Sequence, residues 1–237
     1  AEACVNHNYE REHTFNLWFV VTATDRDRLA DALTRLRVAT GLDILELPME
    51  RAYYLDLGFP IDLSGSCKAA PEACGPSPPI DAQDRRLLAA LEDGIRLESR
   101  PYQGLADRCA MTESGVVGRL GRLLTTGIIT RLGLIVRHRA LGISANAMAV
   151  WDIDDGDVDR VGRAFAASPH VTLCYRRPRR LPAWPYNLFT MIHGRDRRTV
   201  EAQLATLADQ EGVPANRRAV LFSRRCFVQR GARYKAA

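Results

Sequence analysis

Apolar and polar residues follow the same order in two separate parts of the chain. In both parts a segment containing Tyr and Arg precedes an aromatic-Asn-Leu-aromatic segment; these segments are 8–11 with 15–20, and 174–177 with 186–191. Short segments that alternate between apolar and polar residues predict β-strands. The sequence therefore predicts two copies of one structural unit.

Each copy continues into a helix and a closing strand. Leucine and valine recur at helical spacing over 25–40 in the first copy and over 197–211 in the second, which predicts amphipathic helices. The closing strands are predicted over 43–57 and roughly 218–228. The first copy begins almost at its Tyr-Arg strand, so we expect this half to lack the segments that precede the second copy.

The region between the copies divides into two parts. Residues 60–79 (PIDLSGSCKAAPEACGPSPP) have no apolar periodicity and the composition of a flexible linker. Residues 80–130 contain apolar residues at helical spacing in three stretches, of which the second is predicted over 104–110. Thr112 is a good N-cap for the third helix.

Two motifs in this region resemble the helix-turn-helix of the Lrp/AsnC regulators. ID-x-x-D-x-x-LL-x-x-L begins at Ile80, and R-L-x-R-L-x-x-x-G-I-I begins at Arg119. The resemblance implies that a ferredoxin-like β-α-β-β-α-β sandwich follows. Its elements are expected as strands at 132–139 extending through 145–153, and at 170–176, 186–194 and 218–228, with helices at 155–167 and 197–211.

This resemblance implies an α+β fold class. The expected architecture is an Lrp/AsnC-like winged helix-turn-helix with a ferredoxin-like sandwich, repeated as two halves of which the first is truncated. The predicted divisions are 1–59 (C-terminal part of the first ferredoxin-like domain), 60–79 (linker), 80–131 (helix-turn-helix domain) and 132–237 (second ferredoxin-like domain).

Composition limits the class of protein. The 46% of hydrophobic residues is enough for packed cores, and no apolar run approaches the roughly 18 residues that span a bilayer. The six cysteines form no C-x-x-C and no paired zinc spacing. Cys67 and Cys74 are interpreted as incidental linker thiols rather than as a disulfide or metal site, and a reducing cytoplasm is the expected compartment.

The net charge of +5 comes almost wholly from arginine, which codon bias explains as well as a binding site does. Between residues 171 and 198, however, seven arginines stand against Asp196 alone. The planar fork of arginine matches carboxylate or phosphate, so this cluster, which lies beside aromatic residues, suits a flat anionic ligand or nucleic acid.

The predicted helix-turn-helix carries little of this charge. Residues 80–132 contain eight arginines and seven acidic residues, which is a poor match to phosphate. The third helix contains three glycines, which weaken a helix, and Glu113 in its first turn repels DNA; the glycines are Gly115, Gly118 and Gly121. We therefore predict that this domain does not bind DNA.

Two longer motifs resemble the sirohaem decarboxylase family, and with the helix-turn-helix they cover nearly the whole chain. H-N-Y-x-R-E followed by N-L-W-F begins at His7, and C-Y-x-R-P followed by W-P-Y-N-L-F-x-M-I-H-G begins at Cys174. The resemblance implies a carboxy-lyase that converts sirohaem to 12,18-didecarboxysirohaem, for haem d1 or for an alternative route to haem. Two halves in one chain resemble the fused form associated with haem d1.

Sirohaem carries eight carboxylates around a flat iron macrocycle, so its site should combine arginines with aromatic walls. Loss of CO₂ leaves an electron pair on the carbon next to the ring, and the macrocycle itself can delocalise that pair. We therefore expect no added cofactor and no further metal. The protein must hold the other carboxylates, keep water from the reacting acetate and deliver a proton.

Histidine is the natural proton donor near neutral pH. His138 and His193 are the catalytic candidates, and a hydrogen-bonded structural role or iron ligation stays open for each. His13 and His170 are expected to be exposed. The candidate substrate-binding residues are Arg137, Arg139, Tyr175, Arg176, Arg177, Trp184, Tyr186, Asn187, His7, Tyr9 and Arg11. Because residues alternate faces along a strand, one arginine of each neighbouring pair is expected to point away.

Packing competes with ligand contact at several of these positions. Tyr9 and Tyr175 suit the wall of a pocket and plain core packing equally well. Asn16 and Asn187 interrupt apolar strands at matching positions, which favours a structural hydrogen bond slightly over ligand contact.

Two other functions remain open. The chain could be a ligand-responsive Lrp/AsnC-type transcription regulator, or a structural half that supports a catalytic partner. The expected partners are sirohaem with its decarboxylated product and another half or copy of the Lrp-like unit, without DNA or membrane. A Soret band retained on purification favours the enzyme, and a gel shift on promoter DNA favours the regulator.

Overall fold

The structure is a computed structural model that describes residues 2, 4–55, 79–129, 132 and 142–231. The elements within these residues are β1 (Val5–Arg11), β2 (Leu17–Val21), α1 (Arg26–Thr40), β3 (Arg51–Leu55), α2 (Ala82–Leu91), α3 (Pro101–Cys109), α4 (Glu113–Thr125), β4 (Ala145–Trp151), α5 (Val158–Ala167), β5 (Val171–Arg176), β6 (Leu188–Gly194), α6 (Arg197–Gln210) and β7 (Arg218–Gln229). None of the described helices is long and apolar enough to cross a bilayer.

The described strands form one antiparallel sheet in the order β2-β1-β7-β4-β6-β5-β3. The two predicted copies are β1-β2-α1-β3 and β5-β6-α6-β7. β7 pairs with β1, and β3 pairs with β5. The last strand of each copy therefore pairs with the first strand of the other copy.

Each face of the central sheet has its own core. Helices α5 and α6 cover one face, which we call the helical face, where Phe165 and Leu204 of the helices pack with alternate β4 residues such as Ala147 and Trp151. Odd and even positions of a strand point to opposite faces. The opposite face, which we call the aromatic face, is built from Met148, Val150, Tyr175, Trp184, Phe189, Met191 and Leu221.

The three helices α2, α3 and α4 pack around a separate apolar core. Thr112 accepts a hydrogen bond from the Gly115 amide (3.1 Å), which confirms the predicted N-cap of α4. Helix α3 begins at Pro101 rather than at 104, because proline is pre-organised for the first position of a helix.

The α+β fold class is confirmed, with some shifted boundaries. Of the closing strand predicted over 43–57, residues 51–55 form β3 and pair with β5, the described residues 43–50 are not in a strand, and residues 56–57 lie outside the described part of the chain. Leu45 and Leu47 instead pack on the aromatic face. Helix α5 begins at Val158 rather than at 155, since residues 154–157 form a turn.

Parts of the predicted organisation lie outside the described residues. These are the linker cysteines Cys67 and Cys74 and the strand predicted over 132–139, apart from Leu132. The four predicted domain divisions stay predictions. The strands of the first division nevertheless share one sheet with those of the last.

A tyrosine joins the first copy to the second. Tyr53 on β3 donates a hydrogen bond to Asp159 on α5, and Arg51 forms an ion pair with the same carboxylate (2.6 Å). The Tyr53 ring lies against Gly162, where a Cβ atom would overlap it. The absence of a side chain at 162 therefore lets β3 approach α5.

We expect Gly162→Ala to lower the free energy of unfolding by about 1 to 3 kcal/mol, the usual cost of overpacking a core. The added methyl group would displace the Tyr53 ring, so faster hydrogen exchange is expected at the amides of β3. Denaturant unfolding and hydrogen exchange measure the two effects.

The matched control is Gly121→Ala in α4, where nothing lies within 4 Å of the added Cβ. This variant should gain roughly 0.5 to 1 kcal/mol of helix stability. Equal stability changes for the two variants would contradict the role assigned to Gly162.

Candidate functional site

The two Tyr-Arg segments meet on the aromatic face of the sheet. On β1 the rings of His7 and Tyr9 stack with centroids 6.2 Å apart, and Cζ of Arg11 lies 5.3 Å from the Tyr9 ring centroid. In the second copy, Cζ of Arg177 lies 4.8 Å from the Tyr175 ring centroid. Equivalent positions of both copies therefore contribute to one surface.

Each of these arginines also reaches the other copy. Nη1 of Arg11 donates a hydrogen bond to the Leu221 carbonyl oxygen (3.2 Å). Nη1 of Arg177 donates to the Leu47 carbonyl oxygen. The site is thus assembled by both copies together.

Arg11 is a buried cation without a carboxylate partner among the residues that the structure describes. Its side chain is 3% exposed, and its Nε has no hydrogen-bond acceptor there. Burial lowers the pKa of Arg11, while the nearby Tyr175 and Tyr9 hydroxyls act in the opposite direction. An unpaired buried charge costs several kcal/mol, so this position favours an anionic ligand.

Two neighbouring side chains on β1 are neutral. Burial raises the pKa of Tyr9 to about 12, and the contact with Cys226 adds to this, so Tyr9 keeps its proton. Burial lowers the pKa of His7, which favours its uncharged ring. Beside Arg11 these groups can donate hydrogen bonds without adding charge.

Trp184 is the centre of an aromatic cluster. It is fully buried, and its ring centroid lies 5.0 Å from that of Tyr186, 5.3 Å from that of Trp18 and 6.1 Å from that of Phe189. Its Nε1 has no acceptor within the described part of the chain. Trp184 and Phe189 thus form the buried base of this cluster, and its half-buried members Tyr186 and Trp18 are the rings that a flat ligand can contact.

His13 belongs to this cluster, although the sequence predicted an exposed turn. Its ring lies 5.3 Å from that of Trp184, and its Nδ1 accepts a hydrogen bond from the Phe15 amide (3.0 Å). Burial lowers its pKa, so the ring is held neutral. The sequence signal for this location was the position of His13 two residues before Phe15, an apolar residue that begins the repeated aromatic segment.

His193 lies at the end of β6 on the aromatic face, because it alternates with Phe189 and Met191. Its Nδ1 is 3.2 Å from the Thr172 hydroxyl oxygen. Thr172 was not identified from the sequence, since a threonine in a strand carries no distinct motif. His170, in contrast, is exposed, as expected.

Several other candidates lie elsewhere. Arg176 points away from the aromatic face and forms an ion pair with Glu50 (3.0 Å), so of the neighbouring pair only Arg177 faces the site. Asn187 is buried and bonds to both backbone groups of Ile153, which is a structural role. Asn16 is exposed. Arg137, His138 and Arg139 lie outside the described residues.

Two arginines of helix α4 are paired with carboxylates of the same domain. Asp84 is buried and bonds to Arg119 (2.7 Å) and to Arg122, and Arg119 also pairs with Asp81 (2.8 Å). Burial raises the pKa of Asp84, but the hydrogen bonds from Arg122 and Arg119 outweigh this and keep it well below its usual range. The carboxylate therefore stays charged and holds both guanidinium groups.

Two family models match the chain. The one described as "AsnC-like ligand binding domain" matches residues 1–54 and 140–228. The one described as "Siroheme decarboxylase NirDL-like HTH domain" matches residues 84–129. Together they cover both copies of the repeated unit and the helix-turn-helix.

Individual relatives extend this similarity. The chain is 44% identical to the "Siroheme decarboxylase NirDL subunit" of Paracoccus denitrificans (strain Pd 1222), over 98% of the chain and 71% of that protein. It is 44% identical to the "Siroheme decarboxylase NirL subunit" of Stutzerimonas stutzeri, over 65% of the chain and 91% of that protein.

A solved structure also matches. It is the siroheme decarboxylase NirDL in complex with an iron-uroporphyrin III analogue, with a TM-score of 0.59 and 25% identity. The match covers 98% of the chain and 66% of the solved one.

We expect no sequence-specific DNA binding at nanomolar concentration and physiological salt, because Arg119 and Arg122 are held by carboxylates of the same domain, which weakens their contact with phosphate. Fluorescence anisotropy with labelled duplex DNA measures this. A double variant, Asp81→Asn with Glu113→Gln, removes two carboxylates and should bind DNA more tightly at low salt. Specific nanomolar binding by the unaltered protein would overturn the expectation.

Proposed function

The chain belongs to the sirohaem decarboxylase family, and we propose that it binds sirohaem at the aromatic face and removes two acetate carboxylates without oxidation. The product is 12,18-didecarboxysirohaem, which places the chain among the carboxy-lyases that serve haem d1 or alternative haem synthesis. The observation that carries the proposal is Arg11, a buried cation whose charge no described carboxylate balances.

Different residues of the site contact different parts of the ligand. The half-buried rings of His7 and Tyr9 provide a surface for the flat macrocycle, and Arg11 at the inner end of this strip receives one carboxylate. Tyr9 stays protonated and donates a hydrogen bond to a second acceptor. A charged hydrogen bond in such a poorly hydrated position is stronger than one in water.

The apolar walls favour the chemical step. A carboxylate held at the edge of the aromatic cluster, beside half-buried rings such as Tyr186 and Trp18, is poorly solvated, and this favours loss of neutral CO₂. The electron pair of the broken C–C bond stays on the carbon and is delocalised by the macrocycle of the substrate. We therefore propose that the reaction requires no added cofactor. His193 or His138 then protonates the carbon.

Assembly with a further Lrp-like unit is part of the proposal. Several relatives are named as subunits, among them NirL and NirH, and the chain spans 71% of the Paracoccus protein. Another half or copy of the unit would complete the surface around the substrate. Location in the cytoplasm stays a prediction.

The regulator remains the alternative function. Its helix-turn-helix would need arginines that can reach DNA, whereas Arg119, Arg122 and Arg100 are paired with acidic residues of the same domain. The described contacts therefore favour the enzyme.

Under anaerobic conditions, and with a second Lrp-like unit supplied, we expect the protein to release two CO₂ per sirohaem without an added cofactor. Mass spectrometry of the tetrapyrrole measures the loss of two carboxylates. Unchanged sirohaem under these conditions would refute the proposed function.

We expect Arg11→Met to weaken sirohaem binding by roughly 10- to 100-fold, because it removes a charged hydrogen-bond partner. The free energy of unfolding should not fall, since the variant also removes an unpaired buried charge. Titration followed at the Soret band and denaturant unfolding measure the two quantities.

The matched control is Arg163→Met, an exposed arginine of helix α5 on the helical face. It should leave the affinity unchanged. If Arg11 had only a structural role, Arg11→Met would bind sirohaem with normal affinity and would lose much of its stability.

A further inference from the structure

The hydrogen bonds of Thr172 determine which nitrogen of His193 carries the proton. The Thr172 hydroxyl donates to the Met191 carbonyl oxygen at 3.1 Å, and the same oxygen is 3.2 Å from Nδ1 of His193. A hydroxyl has one proton to donate, and a carbonyl can only accept. With that proton on Met191, the Thr172 oxygen must accept from Nδ1–H of the imidazole.

A neutral imidazole carries one proton, so Nδ1–H leaves Nε2 as the basic nitrogen. A hydrogen bond to one ring nitrogen is the usual means by which proteins select the reactive state of the other. His193 is only half-buried and lies on the aromatic face. Nε2 is the ring nitrogen that Thr172 does not contact, and the ring lies at the face where the ligand is proposed to bind.

The first copy contains a matching pair without an imidazole. When the copies are aligned on Tyr9 and Tyr175, Asn6 corresponds to Thr172. When they are aligned on Asn16 and Asn187, Thr22 corresponds to His193. Nδ2 of Asn6 donates to the Thr22 hydroxyl oxygen at 2.7 Å. Both copies keep a hydrogen bond at this place, but neither member of the first pair titrates near neutral pH.

We propose that Thr172 is a positioning residue that fixes the Nδ1–H tautomer of His193, and that Nε2 of His193 is consequently the proton-donating atom of the decarboxylation, located in the second copy. The inference rests on the proposed function for its catalytic half. Its structural half, the tautomer, stands on the hydrogen bonds alone.

The proton balance is complete with these groups. His193 enters the step as imidazolium, with protons on Nδ1 and Nε2. The bond between the methylene carbon and the carboxylate breaks, CO₂ leaves, and the electron pair remains on the methylene carbon. The Nε2 proton moves to that carbon and forms a methyl group. Neutral His193, still donating from Nδ1 to Thr172, regains the Nε2 proton from water.

The test replaces the hydroxyl of Thr172 while keeping the shape of the side chain. ¹⁵N-histidine NMR of the full chain, at a pH where the ring is neutral, reports the tautomer of His193; its signals are assigned with His193→Gln. We expect Nδ1–H in the unaltered protein. In Thr172→Val the ratio of Nδ1–H to Nε2–H should fall about fivefold, the usual effect of one hydrogen bond.

Two further variants separate positioning from packing. Thr172→Ser keeps the hydroxyl and should restore the Nδ1–H signal. Thr22→Val removes the corresponding hydroxyl of the first copy and should leave the His193 signals unchanged. In single-turnover assays Thr172→Val should decarboxylate about 10-fold more slowly or worse, with unchanged sirohaem affinity, as for other losses of a histidine-orienting partner.

The outcomes are distinguishable. An Nε2–H signal in the unaltered protein, or an unchanged ratio in Thr172→Val, would overturn the tautomer assignment. A changed tautomer with unchanged turnover would remove His193 as the donor. If the unaltered protein does not decarboxylate sirohaem at all, the proposed function fails, and the NMR result still decides the role of Thr172 by itself.

Discussion

The structure depends on reciprocal strand pairing between the two copies. β7 pairs with β1, and β3 pairs with β5, so each copy ends beside the first strand of the other. Backbone groups of a strand must be paired or solvated, and each copy satisfies part of this requirement for its neighbour. The contact of Tyr53 with Gly162 secures one of these pairings through side chains. One sheet results, although the sequence predicts two units.

The candidate site is a consequence of this exchange. The pairing brings the Tyr-x-Arg segments of both copies to one face, where Arg11 bonds to a carbonyl of the second copy and Arg177 to one of the first. The two copies are similar in geometry but differ in chemistry. Arg11 is the more deeply buried guanidinium, whereas the second copy contributes His193. A substrate with many carboxylates needs groups that hold carboxylates as well as a group that donates a proton, and the two copies contribute these different groups.

The helix-turn-helix illustrates how a fold can be kept while its surface chemistry changes. Asp84 is buried between Arg119 and Arg122, and these hydrogen bonds hold it charged. Removing one member of such a network leaves a buried charge uncompensated, which is strongly destabilising. The arginines therefore stabilise the packing of α4 on α2. The buried cation that lacks a carboxylate partner in the described part of the chain, Arg11, lies in the sheet domain instead.

The sequence alone determined the repeat, the helices and strands, the α+β class and the family, because these follow from local periodicity and from contiguous motifs. Alternation along a strand also predicted that one of Arg176 and Arg177 would point away. Tertiary structure decided which one, because Glu50, which pairs with Arg176, is distant in sequence. It also placed His13 beside Trp184 and Thr172 beside His193. These contacts join separate segments of the chain, and sequence spacing carries no information about which segments become neighbours.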